Sequence, residues 1–309
     1  MQDRKVYFNG EFVSEQEARV SIFDSALMFG DMVFEMTRTY GQKPFRLGEH
    51  LKRAYAGLKY VGIDCGMSIG EMEAATFETL AVNAEALGDA EVQIMHNISR
   101  GPLAVYKAVF GGAVRPTVTI SCWPYWWHLA PYGALYRAGI HAVTPSQRSV
   151  PAHLIDPKVK NRSRIHYQLA NVQAQKIDPA SWALLTDDQG RVTEGTGSNF
   201  FIVRKGQVVT APGRDILLGV TRQAALELLK ELEIPALEQD YGLYEVTNAD
   251  EAFFTATSFA IMPCTRINGV PIGDGAPGPV TQKLIAAWSR MVGVDIVAQA
   301  DAYARRIAS

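Results

Sequence analysis

Apolar and polar positions alternate with period two at the start of the chain. Residues 6–13, VYFNGEFV, place Asn9-Gly10 between two β-prone runs, the composition of a tight hairpin turn. Residues 32–47, MVFEMTRTYGQKPFRL, alternate in the same way around Tyr40-Gly41-Gln42-Lys43 and read as a second strand pair. The period then lengthens: Leu51, Tyr55 and Leu58 recur at helical spacing between Glu49 and Tyr60, and Gly62 follows where a helix stops. Ser68 precedes a second helical run, with Ile69, Met72, Leu80 and Leu87 predicted on one face. Two β-rich runs come next, Glu91 to Ile98 and Pro116 to Ser121.

Between Cys122 and Gly139 the pattern fails, because WPYWWHLAPYG crowds aromatics, two prolines and a glycine into a stretch with no period; it reads as a linker. Beyond it the pattern predicts a strand over Ile140–Thr144, a helix over Ile165–Lys176, and a strand over Trp182–Thr186. A hairpin about Lys205-Gly206, a helix from near Thr221, a hairpin-like NGVPIG and a last helix from about Val280 complete the chain. There is no internal repeat, heptad array or low-complexity segment. The expected class is α+β in two domains: 1–122, an interdomain loop over 123–139, and 140–309.

Composition narrows the function. The 309 residues are 48% hydrophobic, enough for a large core. Thirty Lys and Arg against 32 Asp and Glu give a net charge of −2 without a dense basic run, which argues against nucleic acid as a partner. No stretch approaches the ~18 apolar residues of a membrane span. The charges in MQDRKVYFNG are foreign to a signal peptide, so a cytoplasmic location is expected. Cys65, Cys122 and Cys264 are odd in number and widely spread, so neither a disulfide framework nor a metal site is expected.

Four local patterns carry candidate chemistry. Asp156-Pro157-Lys158-Val159-Lys160-Asn161-Arg162-Ser163-Arg164 sets lysines among other cations, which favours a nucleophilic amine. Glu194-Gly195-Thr196-Gly197-Ser198-Asn199 puts a carboxylate and two glycines at the entrance of an apolar run. Leu217-Leu218-Gly219-Val220-Thr221-Arg222 precedes an amphipathic helix, whose first N–H groups can bind an anion. Phe254-Thr255-Ala256-Thr257-Ser258 offers hydroxyls at a strand end. Each alone is ordinary: a solvated basic turn, a glycine turn, a helix start, a Thr/Ser turn. Together, one lysine, one carboxylate and two anion-binding turns are what pyridoxal 5'-phosphate requires.

These motifs also bring a specific resemblance. FDSALMFGDMVFEMTRTY, FRLGEHLKR, VKNRSRIHY, EGTGSNFFIV, LLGVTR, ADEAFFTATSFAIMP and GPVT follow one another in an order that resembles the fold type IV, or class IV, pyridoxal-phosphate aminotransferases, over nearly the whole chain. The resemblance implies a D-amino-acid-aminotransferase-like fold, with a small N-terminal α/β domain and a larger, β-barrel-like C-terminal α/β domain. It also implies a homodimer and the transfer of an amino group from an amino acid or primary amine to a 2-keto acid by a ping-pong cycle through a Lys160 aldimine. Lys160, rather than Lys158, matches the Schiff-base lysine, and Glu194 the carboxylate facing the pyridine nitrogen. Arg53 matches the phosphate arginine, with Gly219, Val220, Thr221, Ala256 and Thr257 around the phosphate and Leu218 against the ring.

For the substrate pocket the resemblance points to Phe29, Phe34, Met36, Arg38, Gln93, Met95 and Trp126. The branched-chain enzymes' Tyr-x-Arg is replaced by Gln93 and Met95, and the D-amino-acid enzymes' Arg-x-His by Val105 and Lys107, which leaves Arg38 as the expected carboxylate partner. A branched-chain-like donor is placed first. D-amino-acid or (R)-amine transamination, an aminodeoxychorismate-lyase-like reaction and a non-catalytic binding module are the alternatives.

Overall fold

The structure, a computed structural model, describes residues Asp3–Ala308. The chain falls into two compact units. One holds the residues up to Trp127 together with Val159–Arg164, and the other holds His128–Lys158 and the residues from Ile165 onward.

The first unit contains β1 (Lys5–Phe8), β2 (Glu11–Ser14), α1 (Ser25–Phe29), β3 (Met32–Tyr40), β4 (Lys43–Pro44), α2 (Leu47–Val61), α3 (Ile69–Val82), α4 (Ala84–Leu87), β5 (Val92–Ser99) and β6 (Thr117–Pro124). Its strands make one antiparallel sheet in the order β2-β1-β6-β5-β3-β4. Asn9 and Gly10 both have positive φ, 51° and 98°, the left-handed pair that a two-residue hairpin turn needs. One sheet face is buried against α2 and α3, with Val33, Ile94, Ile98, Val118 and Ile120 packed on Leu47, Leu51, Leu58 and Met72.

The second helical run is shorter than its pattern suggests. Asn83 is buried and accepts from Lys5 N at 2.7 Å, while its amide donates to Lys5 O at 2.9 Å and to Thr79 O at 2.7 Å. This tie to β1 splits the run into α3 and α4. Ile69 lies outside the predicted face and is exposed, whereas Met72 and Leu87 enter the core.

Alternation along β3 sorts its side chains between the two faces. Val33 and Glu35 point to the helices, Val33 into the apolar core and Glu35 onto Arg53 of α2; Phe34, Met36 and Arg38 take the other face. The β3–β5 register sets Met36 opposite Met95 and Arg38 opposite Gln93. Residues 159–164, assigned to 140–309 by the sequence division, instead lie along the outer edge of β3, joined to it by one isolated antiparallel bridge between Val33 and Asn161. Phe34 N donates to Lys160 O at 2.9 Å, Arg162 N donates to Met32 O at 3.0 Å, and Val159 joins the helix-side core.

The aperiodic aromatic segment is folded: α5 (Trp126–Leu129), a 3-10 turn over Ala130–Tyr132 and α6 (Leu135–Ala138) follow one another, with Tyr125 and Leu129 fully buried. The boundary between the units falls within α5.

The second unit continues with β7 (Ile140–Val143), α7 (Ile165–Ile177), β8 (Trp182–Thr186), β9 (Val192–Gly195), β10 (Asn199–Arg204), β11 (Gln207–Thr210), α8 (Val220–Glu231), β12 (Ala236–Glu238), α9 (Leu243–Thr247), β13 (Glu251–Ala256), β14 (Ala260–Ile267), β15 (Val270–Pro271), α10 (Pro279–Val292) and α11 (Ile296–Ala308). The sheet runs β12-β11-β10-β13-β14-β7-β8-β9, and Glu194 of β9 also pairs with Asn199 of β10. That pairing closes six strands into a barrel, as the β-barrel expectation requires. Strands β10 and β13 read as nearly continuous apolar runs because both faces are covered; Phe200, Phe201, Phe253 and Phe254 are fully buried, and Phe201 stacks on Phe253 at 4.8 Å. Among the described residues no helix is long and apolar enough to cross a membrane.

Candidate active site

The residues singled out above fall into two sets, one in each unit. In the first unit, Lys160 and Arg162 flank the Asn161–Val33 bridge and therefore share a face, the one that carries Phe34. Lys160 Nζ lies 4.7 Å from the Phe34 ring centre, and the Arg162 and Arg164 guanidiniums lie 3.7 and 5.0 Å from it, so three cations surround one ring. Met36 and Met95 continue this face. Ser163 Oγ donates to Phe29 O at 2.9 Å and fastens the lysine segment to the end of α1.

On the helix side, Glu35 is fully buried. Arg53 forks onto it, Nε at 2.8 Å and Nη2 at 2.6 Å, and His50 Nδ1 lies 3.1 Å away without hydrogen-bond alignment. Burial raises the Glu35 pKa, but Arg53 and His50 outweigh it and hold the carboxyl well below its usual range. Burial lowers the His50 pKa; the pull of Glu35 opposes this, and the charges of Arg53 and Lys160 add to it. Arg53 thus sits in a buried ion pair that fixes the orientation of its guanidinium.

Several predicted substrate residues are placed differently from expectation. Arg38 is 2% exposed; its guanidinium carbon lies 3.7 Å from the Tyr40 ring centre and 3.6 Å from that of Tyr125, and Nη1 donates to Tyr125 Oη at 2.5 Å. A guanidinium enclosed between two rings is a packing element, so the role of carboxylate partner is withdrawn for Arg38. Gln93 is also buried and donates to Thr37 O at 2.9 Å. Phe29 ends α1 and is 65% exposed, and Trp126 lies half-buried on α5, edge-on to Trp127.

In the second unit Glu194 is 5% exposed and held by three donors: Tyr167 Oη at 2.9 Å, Asn199 Nδ2 at 3.1 Å and Leu217 N at 3.0 Å. Asn199 Nδ2 also donates to Leu217 O at 2.8 Å, which ties the LLGVTR turn to the barrel seam. Gly219 opens α8, and no side chain caps that helix end, so its first N–H groups face outward from a start that carries no acidic residue. A Cβ at Gly219 would overlap Asn199 Oδ1. Val220 and Thr221 are buried at the helix start, while Leu218 is 44% exposed beside them. At the end of β13, Ala256 is buried and Thr257 half-buried, and the buried Thr255 Oγ1 has no hydrogen-bond partner.

Sequence reasoning gave no role to Tyr167, Glu35 or His50, which stood inside quoted motifs, and named Thr255 only as one hydroxyl of a strand end. Asn199 stood in the quoted motif, five residues after Glu194, but was given no role; the i, i+3 spacing of His50 and Arg53 on one helix face was a readable signal. No group of three or more His, Cys, Asp or Glu able to hold a metal ion occurs among the described residues.

A family model described as amino-transferase class IV matches residues 32–267. A putative branched-chain-amino-acid aminotransferase of Methanocaldococcus jannaschii is 37% identical over 281 residues, covering 91% of this chain and 93% of that protein. A D-alanine aminotransferase of Bacillus licheniformis is 31% identical over 289 residues, covering 93% of this chain and 97% of that protein. Among solved structures, a T.th. branched-chain amino acid aminotransferase with pyridoxamine 5'-phosphate superposes with a TM-score of 0.84 at 28% identity, covering 95% of each chain.

Proposed function

This chain belongs to the class IV aminotransferase family, and on that footing we propose that it moves an amino group from a branched-chain or other apolar amino acid to a 2-keto acid. The cycle is ping-pong, the cofactor is pyridoxal 5'-phosphate, and Lys160 is the residue that forms the bond to it and carries the substrate proton. When bound, the cofactor supplies an electron sink that makes the proton next to the amino group removable.

The observation that carries the reading is Glu194. A buried carboxylate held by three donors is fixed in place as an acceptor, which is the group needed to keep a pyridine nitrogen protonated. Other features fit the same cofactor. The uncapped α8 start gives Val220 and Thr221 N–H groups for a phosphate, and Gly219 leaves room for its approach. Thr255 Oγ1 is an unpartnered polar atom beside Ala256 and Thr257, and Leu218 exposes an apolar side chain of the kind that packs on a ring. Arg53, oriented by Glu35, takes the role of phosphate arginine. Phe34, Met36 and Met95 make an apolar floor on the face of Lys160, which supports an apolar donor. A homodimer and a cytoplasmic location belong to the same reading; exposed Ile22, Leu27 and Phe29 supply apolar surface for an interface.

A second reading, D-amino-acid transamination, is favoured by the D-alanine aminotransferase relative. The test is to load the protein with pyridoxal 5'-phosphate, reduce one portion with borohydride to mark the lysine, and in an unreduced portion follow amino transfer to 2-oxoglutarate from L-valine, D-alanine and (R)-1-phenylethylamine. Labelling at Lys160, fastest transfer from L-valine and loss of all transfer in Lys160→Ala are expected. Fastest transfer from D-alanine would replace the first reading by the second. An active Lys160→Ala variant would overturn the assignment of the lysine.

A further inference from the structure

We infer that Arg162 is the residue that takes a carboxylate of the substrate, a specificity-determining cation delivered to the sheet face from the lysine segment itself. The inference rests on the aminotransferase reading, which makes the substrate a carboxylic acid.

Two backbone hydrogen bonds to β3 hold Lys160 and Arg162 on one face of the edge segment. Both groups lie over Phe34, with Lys160 Nζ 4.7 Å and Arg162 Cζ 3.7 Å from the ring centre. Their separation cannot exceed the sum of those distances, a gap that a small 2-keto acid can bridge. The β5 face offers Gln93, Met95 and Asn97 and no cation of its own, and Arg162 is what reaches it: Nη2 is 2.8 Å from Met95 Sδ and 3.0 Å from Asn97 Oδ1.

Both of these partners are neutral, and a thioether is a weak acceptor. No carboxylate lies within ion-pair distance of Arg162 among the described residues. A second cation, Arg164, sits on the same ring. Crowding by protein atoms, with the charge of Arg164, lowers the Arg162 pKa to about 10. Arg162 nevertheless stays charged at neutral pH, and its side chain as a whole is exposed to an incoming ligand. A planar guanidinium with neutral partners and a cationic neighbour gains most from a bidentate anion, and a carboxylate matches its fork. Arg38, enclosed between Tyr40 and Tyr125, cannot serve this purpose.

The experiment titrates the cofactor-loaded enzyme calorimetrically with three unreactive probes: 4-methylvalerate, glutarate and 4-methylpentanamide. Wild type, Arg162→Gln and Arg162→Lys are compared. Charge-assisted hydrogen bonds of this kind correspond to roughly ten- to a hundredfold in affinity. Arg162→Gln is expected to lose that much for a carboxylate, Arg162→Lys to keep part of it, and the amide to bind alike to all three. A loss for both acids assigns Arg162 to the carboxylate next to the reacting carbon; a loss for glutarate alone assigns it to the distal carboxylate of a dicarboxylic substrate. Acid binding that is indifferent to residue 162 overturns the inference. Failure of the aminotransferase reading shows separately, as wild-type protein that exchanges no amino group.

Discussion

Gly219→Ala isolates the link between the α8 turn and the Glu194 carboxylate. Gly219 has φ −65° and ψ 132°, a conformation open to any residue, so the substitution strains no backbone. The added methyl would overlap Asn199 Oδ1 and lie 3.2 Å from Arg222 Cβ, so the Asn199 amide has to withdraw. Its bond to Glu194 is already 3.1 Å long, near the end of the usual range of about 2.7–3.2 Å, and withdrawal breaks it together with the 2.8 Å bond to Leu217 O. Loss of one bond to a charged group and one to a neutral carbonyl costs about 3 kcal/mol, or roughly 6–12 °C in melting temperature. Alanine is a poorer helix cap than glycine but leaves the unfolded chain less freedom; these two effects are each about 1 kcal/mol or less and opposite in sign. Melting followed by circular dichroism reads the total. The decisive measurement is the double-mutant cycle with Asn199→Ala, where only the 3.2 Å approach to Arg222 Cβ remains and most of the cost should disappear. A Gly219→Ala cost of the same size in both backgrounds would refute the clash with Asn199 as its cause.

Two further predictions concern the first unit. His96 is fully buried, 2.8 Å from Thr76 Oγ1, and burial lowers its pKa to about 4 from an unfolded value near 6.5. The unfolded chain binds the proton first as pH falls, so this stability is complete above pH 6.5 and is lost on the way to pH 4, about 2 kcal/mol between pH 7.5 and 5. Urea melts of wild type and His96→Gln should show the wild-type advantage shrinking by that amount at pH 5; an advantage independent of pH would contradict it. Gly101 has φ +81°, and a Cβ there would overlap Arg115 O, so Gly101→Ala should destabilise by at least about 2 kcal/mol. A change under about 0.5 kcal/mol in the same melts would refute the reading of that turn.

What the sequence made legible is what short spacing controls. The Asn9-Gly10 turn, the alternation of β3 and the glycine that opens α8 all depend on residues within one element of each other. What it hid depends on partners far along the chain. The α3 run stops because Asn83 reaches Lys5, and Arg38 is enclosed because Tyr125 lies opposite it, 87 positions later. Residues 159–164 leave their sequence neighbours because the outer edge of β3 has open backbone groups over Met32–Phe34, a vacancy no local pattern reports. Arg162 therefore read as a solvated turn residue, since its company of Phe34, Met95 and Asn97 exists only once that edge is filled.

The two candidate sets are held in place by different means. Glu194 and Asn199 face each other in register at the seam that closes the barrel, so the pair that completes the sheet is also the pair that holds the carboxylate. Its position is set by six strands at once, and Tyr167 and Leu217 N remove what freedom remains. A charge fixed in this way needs little rearrangement when it acts, which is the condition for electrostatic stabilisation of a reacting group. Lys160 and Arg162 rest instead on a short edge segment held by two backbone bonds and by Ser163 on α1. The near-neutral total of the chain conceals this division: Glu194 lies at the barrel seam, and Lys160 and Arg162 lie along the edge of β3.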